Sequence, residues 1–160
     1  MIGLKGSGKT YIGNLLSERL SIPFLRIEDI FLKIKTNDTL GDQNYISAGY
    51  KNVESEIRKR LSACNQITIE STGIALQFKE MIFRLKKDYS VKLVKIEADP
   101  DLCLKRIKSR DQSQHIAVSD DKIIEINKRA QSVSFDYDLV IDNNAATDDE
   151  IIKCARTCQI

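Results

Sequence analysis

The segment Gly3-Leu4-Lys5-Gly6-Ser7-Gly8-Lys9-Thr10 constrains this chain more than any other stretch. It fits G-x-x-x-x-G-K-[ST] at every fixed position, the pattern of a tight loop that delivers backbone amides to phosphate oxygens. A triphosphate needs several donors converging on one curved surface. Amides supply them only where the chain turns sharply, and Gly3, Gly6 and Gly8 permit backbone angles that side chains block. A helix is expected at once, from about Lys9 to Leu20, with Ile12, Leu15, Leu16 and Leu20 on one stripe. Its exposed amides and positive dipole end would face the same anion as the loop. Lys9 is expected to reach the β and γ oxygens, and the Thr10 hydroxyl to ligate Mg²⁺. The expected nucleotide-binding set is therefore Gly3, Lys5, Gly6, Ser7, Gly8, Lys9 and Thr10.

Such a loop joins a strand to a helix, and the rest of the chain keeps that rhythm. Strand composition recurs at Phe24-Leu25-Arg26-Ile27, Gln66 to Glu70, Val91 to Glu97 and Asp138 to Asp142. Helical stretches lie between them: one ending near Cys64, one over about Leu76 to Lys87, one opened by Asp99-Pro100, and one from about Asp120 to Gln131. The last opens on Thr147-Asp148-Asp149-Glu150, a capping box. Alternation of this kind predicts a three-layer α/β domain, a five-stranded parallel sheet flanked by helices, spanning the chain as one unit. The first strand stands out. Only Met1 and Ile2 precede Gly3, whereas a strand averages about five residues. A central strand of two residues forfeits ladder hydrogen bonds on both sides. The expectation is a chain truncated at its start, or a misassigned start.

Composition narrows the partners. With 160 residues, 42% hydrophobic and 30% charged, the chain reads as one ordinary soluble domain. No apolar run approaches the roughly 20 residues of a membrane span, and the glycine-rich start lacks the apolar core of a signal peptide. A net charge of +2, with basic residues spread along the chain, argues against nucleic acid. The expected partner is a small-molecule acceptor, for a cytoplasmic monomer or weak homodimer. Cys64, Cys103, Cys154 and Cys158 lack the paired spacing of a zinc ribbon, and are expected to be reduced packing residues.

A GTPase reading has two footholds, and both are weak. Asp38-Thr39-Leu40-Gly41 matches D-x-x-G, but follows a polar stretch rather than a strand. Asn127-Lys128-Arg129-Ala130 begins like the guanine motif N-K-x-D but lacks its aspartate.

From Gly3 through Gly73 the chain resembles shikimate kinase and its relatives among small-molecule kinases. The likeness rests on the loop, on Ile22-Pro23-Phe24 with acids just after, on Tyr50-Lys51-Asn52-Val53-Glu54, and on Ser71-Thr72-Gly73 after a strand. Family members show D-x-D, F-R-x-x-E and G-G-G at those places, where this chain has Arg26-Ile27-Glu28, Tyr50 to Glu54 and Ser71 to Gly73. The resemblance implies that Glu28, with Asp29 beside it, binds an acceptor hydroxyl and lies near the proton it loses. The family's first acid helps hold Mg²⁺ through water, and Arg26 cannot do that. Lys51 could meet an acceptor anion only as a point charge. The resemblance also places acceptor contacts at Ser71, Thr72 and Gly73, with an acceptor-binding helical region over about 29–64.

The back half looks more like the nucleotide kinases and dephospho-CoA kinase. Leu104-Lys105-Arg106-Ile107-Lys108-Ser109-Arg110 resembles their lid entry, giving a lid over about 106–120, and Tyr137 to Asn143 resembles their closing strand. Arg106 and Arg110, four apart on one helix face, would close over the transferring phosphate. Glu70 follows a hydrophobic strand directly, where a Walker-B-type acid orients Mg²⁺ or its waters. His115 falls in the lid, and Asn143 and Asn144 are placed to flank an adenine. The expected activity is ATP-dependent phosphoryl transfer to a hydroxyl of a small acceptor, with Mg²⁺, Lys9, Glu28, Arg106 and Arg110 carrying the chemistry. The alternatives are a nucleotide or dephospho-CoA type kinase, and a nucleotide-binding module with little or no transfer activity.

Overall fold

Short strands set the frame. In the computed structural model, which describes residues 1–34, 42–109 and 119–158, the strands are β1 (Ile2–Gly3), β2 (Phe24–Leu25), β3 (Thr68–Ile69), β4 (Val94–Glu97) and β5 (Leu139–Asp142). Helices connect them: α1 (Lys9–Leu20), α2 (Ile27–Leu32), α3 (Gln43–Leu61), α4 (Leu76–Asp88), α5 (Pro100–Ser109), α6 (Asp120–Gln131) and α7 (Asp148–Thr157). All pairings are parallel, as helical crossovers require.

The strands do not form the continuous five-stranded sheet that the sequence predicts. They form a three-stranded sheet in the order β1-β4-β5 and a separate ladder of β2 with β3. The cause is the length of β1. Its two residues pair with Lys95 and Ile96 of β4, and on the other side a single bridge joins Ile2 to Ser71, just past β3. Two backbone hydrogen bonds hold that seam, Gly3 N to Ser71 O at 3.2 Å and Ser71 N to Met1 O at 2.9 Å. An apolar cavity of about 260 Å³ is lined by Met1, Thr68, Phe78, Leu93 and Val94 among others. It lies at the opposite end of the strands from the glycine-rich loop.

The later strands are also shorter than expected: β2 stops at Leu25, β3 keeps only Thr68–Ile69, β4 starts at Val94 and β5 at Leu139. Val91 to Leu93 lack a β1 neighbour, although Leu93 stays tied to Asp138, whose backbone N donates to Leu93 O (2.8 Å) and whose carboxylate accepts from Leu93 N (2.6 Å). Ile27, expected in a strand, opens α2 and is buried there.

Two apolar clusters cover the two faces. Ile12, Leu15 and Leu16 of α1 pack with Ile151, Ile152 and Ala155 of α7 against Val94, Ile96 and Ile141. On the other face Val53 and Ile57 of α3 meet Phe78, Met81, Ile82 and Leu85 of α4 over Ile2 and Leu25. Helix ends follow the sequence signals. Asp99 accepts from the amides of Asp101 and Leu102 (2.9 and 3.1 Å), and Thr147 and Glu150 form the reciprocal capping box. All four cysteines are free thiols, and burial pushes the Cys103 thiol up. Among the described residues no helix is long and apolar enough to cross a membrane.

Glu54 ties α3 to α4 at the surface of that second layer. Its carboxylate accepts from Arg58 (3.0 Å) and from Arg84 of α4 (2.8 Å), while Arg58 also reaches Asp88 (2.8 Å). Burial alone would raise the Glu54 carboxyl, but the hydrogen bonds from Arg84 and Arg58 outweigh it and hold it below its ordinary value. A depressed carboxyl contributes stability above its unfolded value and loses it as the pH falls through the folded value. Because both arginines are more than a third exposed, the contribution is about 1 kcal/mol. Glu54→Gln should therefore lower Tm by about 2–4 °C at neutral pH. The gap from wild type should close below the carboxylate range, and thermal melts across pH 3 to 7 would check it.

Candidate active site

The glycine-rich loop leaves β1 at Gly3 and enters α1 at Lys9, and its shape comes from two residues in the left-handed region, Gly6 (φ 85°) and Gly8 (φ 92°). Neither place has room for a side chain. A Cβ on Gly6 would stand 2.3 Å from the Cys103 carbonyl, and one on Gly8 would stand 2.1 Å from Asn143 Nδ2. The first amides of α1 have no acceptor within the helix, and no side chain caps them. They are donors in need of an anion.

Lys9 is buried, and its ammonium folds back over the loop to donate to the carbonyls of Gly3 (3.0 Å) and Leu4 (2.6 Å). The Thr10 hydroxyl donates to Glu70 Oε2 at 2.8 Å, so the end of β3 meets the start of α1. On the other flank Arg106 of α5 donates through Nη2 to Asn143 O (2.9 Å), and Asn143 Nδ2 donates to Ser7 O (2.8 Å). Arg106 Nη1 is buried without a hydrogen-bond partner among the described residues, 4.0 Å from the position of a Gly8 Cβ. A buried guanidinium edge left over beside this loop is matched to a phosphate oxygen. The Thr10 and Glu70 oxygens suit a hard cation that keeps most of its ligands as water and phosphate.

The acceptor-side candidates lie after β2 and β3. Arg26 stands before α2 and binds both acids, Glu28 at 2.7 Å and Asp29 at 3.2 Å. Neither acid caps the helix, whose N-cap is Arg26 itself, with no side-chain bond to the helix amides. Ser71 and Gly73 are buried after β3, and the Gly73 amide donates to Ser71 Oγ (3.0 Å). Gly73 needs its glycine: φ is 77°, and a Cβ would meet Phe135 at 2.9 Å. Thr72, half-buried, lies between them.

A polar cleft of about 780 Å³ opens beside Thr10, lined by Arg26, Asp29 and Lys33 and by the α3 face Asn52, Glu56 and Arg60. Lys51 is exposed on α3 and is not part of that lining. Arg110 and His115 lie outside the described residues, as do Asp38 to Gly41 and most of the expected lid.

Sequence reasoning did not foresee what four residues contribute. Asn127, noted only as a failed guanine motif, grips the loop at Lys5, accepting from its backbone N at 2.8 Å and donating to its O at 3.1 Å. Asn143 and Asn144, expected near a base, also serve the backbone. Asn143 braces Ser7, and Asn144 Oδ1 accepts from Asp99 N at 2.7 Å. Tyr50, at the family's phenylalanine position, carries a hydroxyl in hydrogen-bond contact with Ser71; burial raises this phenol, and the Ser71 contact opposes that. Only the two buried asparagines carried a usable signal, being amides that must bond to something.

Comparison with known proteins identifies the fold and the family. A curated shikimate kinase of Rippkaea orientalis is 25% identical over 153 residues, covering 90% of this chain and 78% of the relative. The crystal structure of shikimate kinase from Aquifex aeolicus superposes with a TM-score of 0.61 at 20% identity, covering 99% of this chain and 93% of that one. An unliganded sugar kinase from Janibacter superposes with a TM-score of 0.72 at 13% identity, covering 99% and 91%. At such identities these structures establish the P-loop kinase fold. The family model for shikimate kinase matches residues 5–158, and with nearly the whole sequence inside that match, the chain belongs to the shikimate kinase family.

Proposed function

We propose that this protein transfers the γ-phosphoryl group of ATP, in the presence of Mg²⁺, to a hydroxyl group of a small acceptor. The observation that carries the reading is the buried Arg106 Nη1 edge left over beside Gly8, where the loop and α1 also present their amides. Phosphoryl transfer asks for positioning and charge neutralisation more than for covalent chemistry, and these residues supply both.

Each residue then has a task. Gly3, Lys5, Gly6, Ser7, Gly8 and Thr10 form the cradle, with Gly6 and Gly8 allowing the backbone close approach. Lys9 exchanges the carbonyls of Gly3 and Leu4 for phosphate oxygens. Arg106, braced on Asn143, meets the charge that develops on the transferring group, and Arg110, by the lid-motif resemblance, joins it. Thr10 and Glu70 would hold the magnesium ion, which supplies charge neutralisation at the phosphates. Glu28 receives the acceptor's hydroxyl proton. Asp29, Lys51, Ser71, Thr72 and Gly73 line the acceptor's side, and Arg60 and Lys33 add positive charge to the adjoining cleft.

Arg26 separates this chain from a plain shikimate phosphorylator. An arginine where the family carries an acid cannot help hold a cation, and here it holds Glu28 and Asp29 instead. The acceptor is therefore a small hydroxylated molecule, for which shikimate is one candidate within a panel of hydroxy acids, sugars and nucleosides.

Acceptor-dependent ADP release across such a panel tests the proposal directly. Lys9→Ala should lower turnover by about 10²-fold or more, as expected for loss of a charge aimed at the transition state. Turnover unchanged by that substitution would end the kinase reading. Glu28→Gln should lower kcat by about 10²- to 10⁴-fold, the range for a lost general base, while the KM for ATP stays within about twofold of wild type. A Glu28→Gln enzyme of normal kcat would remove Glu28 from the chemistry and leave the donor side standing.

A further inference from the structure

A loop that points its amides at an anion turns its carbonyls outward, and each carbonyl needs a partner. The partners here are of two kinds. Gly3 O and Leu4 O accept from the Lys9 ammonium, which on the reading above leaves them when it meets phosphate. Lys5 O and Ser7 O accept instead from side-chain amides that carry no charge and have no reason to leave, those of Asn127 and Asn143.

Asn127 does more than satisfy one carbonyl. Its Oδ1 takes the Lys5 N–H at 2.8 Å and its Nδ2 gives to the Lys5 C=O at 3.1 Å. One carboxamide thus pairs with both backbone groups of one residue, as a neighbouring strand would. The side chain that does this is 5% exposed and comes from α6, 122 residues away along the chain. Lys5 stands directly before Gly6, whose positive φ bends the loop and whose Cα faces the Cys103 carbonyl without room for a Cβ. Fixing the Lys5 peptide fixes the plane from which that bend starts. It also directs the Lys5 amide to α6 and away from a phosphate.

We propose that Asn127 is a positioning residue of the nucleotide site, holding the phosphate loop in its binding shape before nucleotide arrives and tying helix α6 to that shape. This rests on the reading that the loop binds ATP. The role predicts a selective defect, because without the carboxamide the Lys5 peptide must be ordered by the ligand itself, at the ligand's expense. The acceptor's binding is unaffected.

The test measures Mg-ADP affinity by calorimetry, KM for ATP and for acceptor, and Tm without nucleotide. It compares wild type, Asn127→Ala and Ile123→Ala. Ile123 is a core residue of α6 at 5% exposure and touches no part of the loop's hydrogen bonding, so it reports what loosening the helix alone does. Asn127→Ala should weaken Mg-ADP binding and raise the KM for ATP about tenfold, the effect of two lost hydrogen bonds. The acceptor KM should stay within about twofold. Ile123→Ala should lower Tm at least as much and leave both nucleotide values within about twofold. Equal nucleotide affinity in Asn127→Ala and wild type overturns the proposal, as does an equal loss in Ile123→Ala. If Asn127→Ala does not fold, Asn127→Asp carries the test: it keeps the acceptor for the Lys5 amide but loses the donor, so it should fold and bind Mg-ADP more weakly. Wild-type affinity in that variant is equally fatal. A wild-type protein without affinity for Mg-ADP would instead strike the kinase reading itself and take this inference with it.

Discussion

Concentrated negative charge can be held by backbone alone only if the backbone is bent against its preferences and kept there. Everything near the glycine-rich loop follows from that constraint. Gly6 and Gly8 accept angles that other residues resist, and the side chains of Asn143 and Asn127 hold the outward carbonyls. The Arg106 guanidinium is anchored by one nitrogen to Asn143 O so that another can face the anion. The strands beneath are short, and the helices around the loop do the holding that a longer β1 would otherwise share.

The acceptor side is organised by a different pair of forces. Where related kinases place an acid, this chain has Arg26, and its guanidinium draws Glu28 and Asp29 into one cluster at the start of α2. A planar guanidinium with several donors can hold two carboxylates at once in fixed directions, which a lysine could not do. The cluster keeps a net negative charge, while the neighbouring cleft carries Lys33 and Arg60 against Glu56.

The sequence was most informative where local chemistry decides structure. The loop, the stripe on α1, the Asp99 cap and the Thr147 capping box all depend on neighbours within a few residues, and each is legible letter by letter. Glu70 was legible as an acid after a strand, though not as the partner of Thr10, because that contact spans 60 positions. The separation of the two ladders was not legible, since whether they merge depends on how many residues β1 contributes to each side. Asn127 was the clearest loss. It sat inside a motif that failed for want of an aspartate, and nothing nearby in sequence shows that an amide on α6 folds over Lys5. Lys51 was read from its place in the Tyr50 to Glu54 motif; it is exposed on α3, and Asn52, Glu56 and Arg60 of the same helix line the cleft.

The seam between β1 and β3 has a mechanical meaning. One bridge, Ile2 to Ser71, and a few flanking hydrogen bonds join the two ladders through backbone, alongside the Thr10–Glu70 contact and the packing of α1 on β2. A shell is most compliant along its thinnest line, and this line runs past Glu70 and Ser71, beside the Thr10 contact. Any force between the two ladders is shared by those few atoms and by the packing of α1 on β2.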